Sequence, residues 1–373
     1  MAQALPDGIP GDGTNLTSEA PKVTVLMSVY NGEKYLAEAV DSILNQTFRD
    51  FEFLIINDGS TDATADILER YQRSDNRITV YNQENQGLIA SLNRGCQLAR
   101  GEYVARMDAD DVSLPERLAK QVQFMDTHPD IGVVGTWVEY MDENGRRLGE
   151  WHYPTAPGVI GWHLLFWCCL AHPSVVMRRD VFLQLGFYRP QALHAEDYDL
   201  WSRAVTVTRL ANIPEVLLRY RITGEGICQR HHQTQEESVM RAMRPLLQSL
   251  LRSEVPLEVV TAMRKTSMGQ PLSNLQEVVE TTTAIRRLYR AYVAAACLSR
   301  TEASDIRHDL GTKLMFLALS AGKKSLRQGL SIYLQAVRLN PRLWPPALVL
   351  MGLSRVTRQA VGKLHTRINE PGR

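Results

Sequence analysis

The apolar positions of this chain alternate between two periods. Val23 to Val29 and Phe51 to Ile56 are short continuous apolar runs, the pattern of strands buried on both faces. Arg77 to Tyr81 and Tyr103 to Met107 predict two more strands. Between them the period lengthens. Tyr35/Leu36, Ala39/Val40 and Ile43/Leu44 recur on one helix face. A second helix, capped by Ser60, Thr61 or Asp62, turns Ile67, Leu68 and Tyr71 inward, and a third covers Leu88 to Ala99. Strands alternating with helices predict an α/β fold with a mostly parallel sheet flanked by helices.

Past residue 112 the pattern becomes mixed. Ser113 and Glu116 have the spacing of a capping box, with Pro115 in the first turn of a helix. Ile131 to Met141, the turn Asn144-Gly145 and the return from Leu148 to Trp151 predict an antiparallel hairpin. From about Gln235 onward the chain is helical, a C-terminal all-helical extension. The expected divisions are 1–20, 21–111, 112–234 and 235–373. The first twenty residues, rich in Pro, Gly, Asp and Thr, are read as a disordered lead-in without the basic start and apolar core of a signal peptide.

Composition narrows the class. The hydrophobic fraction of 44% suits a folded protein, and a formal net charge of +1 gives no pull toward nucleic acid. Cys96, Cys168, Cys169, Cys228 and Cys297 lack metal-ligand spacing and suit a reducing compartment, hence an expected cytoplasmic location. No stretch approaches the roughly 20 apolar residues of a membrane span; the longest, Val159 to Met177, contains His163, His172 and Pro173.

Charge is concentrated at one end. From Ala321 to Arg373 ten Lys or Arg face a single acid, Glu370. Leu343 to Leu364 combines an apolar half with Arg355, Arg358 and Lys363. Such a segment suits an anionic membrane surface, so a peripheral place on the cytoplasmic face of the plasma membrane is one expectation. Packing on the domain, or a homodimer contact, is equally compatible.

Three acidic features carry candidate chemistry. Asp108-Ala109-Asp110-Asp111 follows a buried strand, where open α/β sheets bind ligands. Crowded carboxylates there suit Mg2+ or Mn2+ shared with substrate phosphates, although a solvated acidic turn has the same pattern. Asp58 ends the preceding strand, where a carboxylate can bind a nucleoside or form an Asx turn. Glu196-Asp197 either favours a helix N-terminus or supplies a general base. Neither G-x-G-x-x-G nor G-x-x-x-x-G-K-[ST] occurs, which argues against a dehydrogenase and a P-loop enzyme.

In order, these pieces resemble the family 2 inverting glycosyltransferases of GT-A fold, of the bacterial polysaccharide and lipid-linked oligosaccharide type. The matching residues are Pro21 through Gly32, Ser42-Ile43-Leu44-Asn45-Gln46-Thr47, and Asn57-Asp58-Gly59-Ser60-Thr61-Asp62. Asn85-Gln86-Gly87-Leu88, Asn93-Arg94-Gly95, Ala99 through Tyr103, Asp108 through Asp111, and Leu114 through Arg117 complete the series. The resemblance spans about residues 21–225. It implies a nucleotide-binding half over 21–111 and an acceptor-binding half over 112–234.

The resemblance also implies roles. Ser28, Tyr30, Gly87 and Ala109 line the nucleotide pocket, Asp58 holds the base, and Asp108 touches the ribose. Asp110, with Asp108, ligates the metal. Asp197 is the catalytic base, with Glu196 beside it. His172, Trp201 and Arg221 are candidate donor or acceptor contacts. Thr223 stands where many relatives have His, and Asn57 where many have Asp; His231 and His232 follow later. The implied donor is a UDP-sugar and the implied acceptor a saccharide or lipid-linked hydroxyl. The absence of Gln-x-x-Arg-Trp favours non-processive transfer. A nucleotidyltransferase and an inactive nucleotide-sugar-binding module remain as alternatives.

Overall fold

A computed structural model describes residues 20–223 and 232–343. The expected lead-in, His231 and most of the basic segment Leu343 to Leu364 lie outside the described residues. Among the described residues, nine strands form one sheet in the order β3-β2-β1-β4-β8-β6-β9-β5, with β7 paired to β6. The first four, β1 (Val23–Val29), β2 (Phe51–Asp58), β3 (Ile78–Gln83) and β4 (Tyr103–Asp108), are mutually parallel. They alternate with α1 (Leu36–Leu44), α2 (Thr64–Ser74) and α3 (Leu88–Leu98), so the α/β pattern read from the apolar periods holds.

Beyond β4 the sheet is mixed. The short β5 (Val112–Ser113) pairs with β9 (Arg209–Arg221), and β8 (Val176–Arg178) runs antiparallel between β4 and β6 (Ile131–Met141). The expected hairpin forms as β6 and β7 (Arg147–Trp151). The helices of this half are α4 (Arg117–Thr127), α5 (Pro157–His163), α6 (Arg179–Leu185) and α7 (Glu196–Ala204).

Two helix starts differ from expectation. No side chain caps α4, which begins at Arg117 after Glu116. Ser113 instead lies in β5, where its N–H donates to Ser42 Oγ and its own Oγ accepts from Arg117 Nη1. The box fails because its serine is committed to the sheet. Likewise α2 begins after Ala63; Ser60 Oγ accepts from the Asn31 N–H, while Asp62 Oδ1 takes the Thr64 N–H.

Period-two alternation gives β1, β2 and β4 two buried faces, while β3 lies at the sheet edge with only Ile78 buried. Val25, Met27, Phe53, Ile55 and Met107 pack with α1, α2 and α4. Leu26, Leu54, Ile56 and Val104 join α3, α5 and α7 on the other side. That second core continues into α8 (His232–Leu251), α9 (Leu257–Ser267), α10 (Leu275–Ala295), α11 (Arg300–Gly322) and α12 (Leu326–Leu339).

Specific polar contacts fasten these helices to the segment around α5. Trp162 Nε1 donates to Asp309 Oδ2 at 2.5 Å, the Gly158 N–H to Glu302 Oε1 at 2.8 Å, and Arg264 Nη1 to the Phe166 carbonyl at 3.2 Å. The helical region therefore backs the face of the sheet that carries Ser28, Asp58, Arg106 and Asp108. Among the described residues, no helix is long and apolar enough to cross a membrane.

Candidate functional site

The site is built at the carboxyl edge of the parallel strands. By alternation, Ser28, Asp58 and Asp108 share the face of Leu26, Ile56 and Val104, and the β1–β4 register sets Ser28 beside Asp108. Tyr30 follows β1 with an exposed ring. The loops here are tightly cross-linked: Asn31 Oδ1 accepts the Thr61 N–H, and Thr64 Oγ1 accepts the Gly32 N–H.

Asp58 organises the neighbouring loop. Its Oδ1 accepts from Gln83 Nε2 at 2.7 Å and the Gln86 N–H at 2.9 Å, and its Oδ2 from the Gly87 N–H at 2.8 Å. Gly87 has a φ of +85°, which glycine adopts without a Cβ penalty. Three of the roughly four lone-pair directions of a carboxylate are thus taken by the protein itself.

Asp108, Asp110 and Asp111 form the contrasting cluster. One carboxylate oxygen from each lies within 4.8 Å of the others, a spacing that could hold a metal ion. Asp111 is buried. Its Oδ1 accepts the Arg221 N–H at 2.8 Å, while its Oδ2 has no hydrogen-bond partner. A buried anionic oxygen without a donor is costly, and a hard divalent cation is the natural remedy. Burial, then the charge of Asp108, pushes Asp110 up from the usual carboxylate range; burial and Asp110 do the same to Asp111. These groups resist being charged together, and bound positive charge removes that resistance.

The second acidic pair enters from α7. Glu196 is buried and Asp197 half-buried at its first turn. Burial, then Asp197 and also Asp108, pushes Glu196 up, so the two acidic groups are near enough to sense each other. Burial raises Asp197 as well, against the Tyr198 N–H and the Cys168 thiol, whose Sγ lies 3.6 Å from Asp197 Oδ2. A carboxylate raised in this way is suited to accept a proton from an attacking group.

Arg106 links the three clustered aspartates to the Glu196–Asp197 pair. It projects from β4 on the same face as Asp108, is buried, and forms an ion pair with that carboxylate. Its Nε has no hydrogen-bond partner among the described residues. Its charge opposes the upward shifts of Asp110, Asp111, Glu196 and Asp197 and, after burial, lowers His172. The sequence signal was present in Tyr103-Val104-Ala105-Arg106-Met107, a lone permanent charge within a buried strand. Arg117 holds this strand from below, its Nη2 donating to the Arg106 carbonyl at 2.7 Å.

Three expected contacts are placed differently from one another. His172 is buried and neutral, its Nε2 2.8 Å from the Tyr188 hydroxyl. Trp201 is fully buried and packs edge-on against His172, and its indole N–H has no hydrogen-bond partner among the described residues. The apolar face of α7 drew it inward. Arg221 is buried as well. Its Nε donates to the Asp110 carbonyl, Nη1 to the carbonyls of Asp142 and Glu143, and Nη2 to Glu38. It braces the acidic loop. Ala109 is half-buried between the acids.

Comparison with known proteins adds an independent observation. A family model described as Glycosyl transferase family 2 matches residues 24–185. The O-antigen biosynthesis glycosyltransferase WbnJ of Escherichia coli is 40% identical over 208 residues, 55% of this chain and 81% of that protein. An uncharacterized glycosyltransferase of Methanocaldococcus jannaschii is 37% identical over 209 residues, 55% of this chain and 72% of that protein. The S. aureus TarS 1-349 structure in complex with UDP-GlcNAc aligns with a TM-score of 0.53 at 19% identity. That alignment covers 86% of this chain and 92% of TarS 1-349, and it shows a shared GT-A fold.

Proposed function

The chain belongs to glycosyl transferase family 2 and is a glycosyltransferase; on that footing we propose that it moves one sugar from a nucleoside diphosphate donor to an acceptor hydroxyl, with inversion. The observation that carries this reading is the convergence of Asp108, Asp110 and Asp111 on one point at the carboxyl edge of the sheet. The donor we propose is a UDP-sugar, the class seen bound to the fold neighbour TarS. A role in cell-surface polysaccharide or glycolipid synthesis follows the relative named for O-antigen biosynthesis.

Tyr30 offers an exposed ring for the nucleotide base, beside the loop that Asp58 fixes through Gln86 and Gly87. Ser28 and Asp108 flank the expected place of the ribose. Asp110, Asp111 and Asp108 would hold Mg2+ or Mn2+, and the orphaned Oδ2 of Asp111 supports this donor set. When bound, such an ion neutralises charge on the departing diphosphate.

Asp197 accepts the proton of the acceptor hydroxyl. That oxygen bonds to the anomeric carbon as the carbon–oxygen bond to the diphosphate breaks. One displacement inverts the centre. Burial raises the basicity of Asp197, and the charge of Asp197 in turn raises Glu196 beside it. The charge of Arg106 opposes the upward shift of both.

The test is a screen of nucleotide sugars for divalent-dependent hydrolysis and transfer, with Asp110→Ala and Asp197→Asn as controls. Both variants should fold and lose turnover by about a hundredfold or more. Full activity in either purified variant removes that residue's role. A retained anomeric configuration in the product would end the single-displacement reading.

A further inference from the structure

The helix α12 has two unlike faces. Ile332, Tyr333 and Ala336 are buried in the core shared with α11. On the other side Leu326, Leu330 and Leu334 are 69%, 41% and 44% exposed. Their spacing of four sets them in one stripe along the helix. Lys323, Lys324, Arg327, Arg338 and Arg342 are all exposed around this stripe, and none forms an ion pair among the described residues. No acid occurs anywhere from Ala321 to Leu343. The packing of the buried face fixes the stripe outward.

We propose that this face of α12 docks on an anionic lipid surface. An apolar stripe bordered by bases matches the boundary between acyl chains and acidic headgroups: leucines enter the apolar layer while the flanking cations stay at the phosphates. Charge selects this occupant over two others. A second copy brought to the same face would oppose five bases with five bases. The remaining chain, 344–373, brings Arg355, Arg358, Lys363, Arg367 and Arg373 against Glu370 alone. Both repel the border of the stripe, whereas an acidic bilayer attracts it. The inference is independent of the catalytic reading, since none of these side chains belongs to the acidic site.

The full chain is sedimented with vesicles of phosphatidylcholine alone and of phosphatidylcholine mixed with phosphatidylglycerol. Binding to the mixed vesicles, weakened by added salt, is expected. Each base near an acidic leaflet is worth roughly fivefold, so Lys323→Gln, Lys324→Gln and Arg327→Gln together should weaken binding by about a hundredfold. Leu326→Ser, Leu330→Ser and Leu334→Ser together should weaken it by at least about tenfold.

Donor hydrolysis and the thermal midpoint should stay at the wild-type level in both variants. Should the leucine variant fail to fold, the glutamine variant still decides. Equal sedimentation with both lipids, or wild-type binding by the folded variants, overturns the proposal. So does a wild-type dimer that dissociates in the leucine variant without any vesicle binding, or a lowered thermal midpoint with vesicle binding unchanged.

Discussion

Asp58 and Asp111 both stand at the carboxyl edge of one parallel sheet, with only 2% and 1% of their surfaces exposed. Asp58 is enclosed by three donors from its own loop. Asp111 has one backbone donor, a bare oxygen and two anionic neighbours. The first arrangement stabilises the protein and the second costs it stability. Two aspartates of equal burial and similar chain context thus differ in what surrounds them: one is satisfied by its own loop, the other is crowded by like charge.

The sharpest way to break this comparison is Asp111→Asn. It keeps the oxygen that accepts the Arg221 N–H and removes the buried charge. Turnover with Mn2+ should fall by about a hundredfold or more, while the thermal midpoint without metal should rise. Mn2+ should raise the wild-type midpoint but give a much smaller shift in this variant, as read by calorimetry. A lowered metal-free midpoint would place Asp111 with the structural acids.

Asp58→Asn should do the reverse. The new amide presents a donor toward one of the donors it formerly accepted, so stability should drop by about 2 kcal/mol in a denaturant titration. The Mn2+ shift should survive. Loss of that shift together with unchanged stability would exchange the two assignments.

The next effect concerns pH. Burial raises both Glu196 and Asp197, and the charge of Asp197 raises Glu196 further, so their basic form grows as pH rises through values above the ordinary carboxylate range. The acid limb of kcat/KM should lie there. Arg106→Met removes the cation that opposes the shift and should move the limb to higher pH by about one unit. A limb moving downward would detach Arg106 from this pair. The smallest effect is that of Gly87→Ala. Open space surrounds the added Cβ, so only the positive φ resists it, at about 1 kcal/mol in a thermal melt.

Much of this was legible in the sequence. Continuous apolar runs marked β1 and β2, the helical stripe marked α1, and Asn144-Gly145 marked the hairpin of β6 and β7, because each signal is local. The acidic cluster was legible because its members are adjacent in the chain. The approach of Glu196 and Asp197 to Asp108 was not legible from spacing, since packing of α7 on the sheet creates it. Trp201 and Arg221 share one lesson: sequence shows which side chains could meet a substrate, and packing decides which way each turns. Ser113 shows the same limit, its capping spacing overridden by pairing with β9.

Arg221 has one more consequence. Its amide holds Asp111 while its guanidinium holds the Asp110 carbonyl, the turn after β6 and Glu38 of α1. The last residue of β9 is therefore a mechanical anchor for the acidic loop, and tension on the chain leaving this strand reaches Asp110 and Asp111 directly. Whatever pulls on that exit also tugs at the three clustered carboxylates.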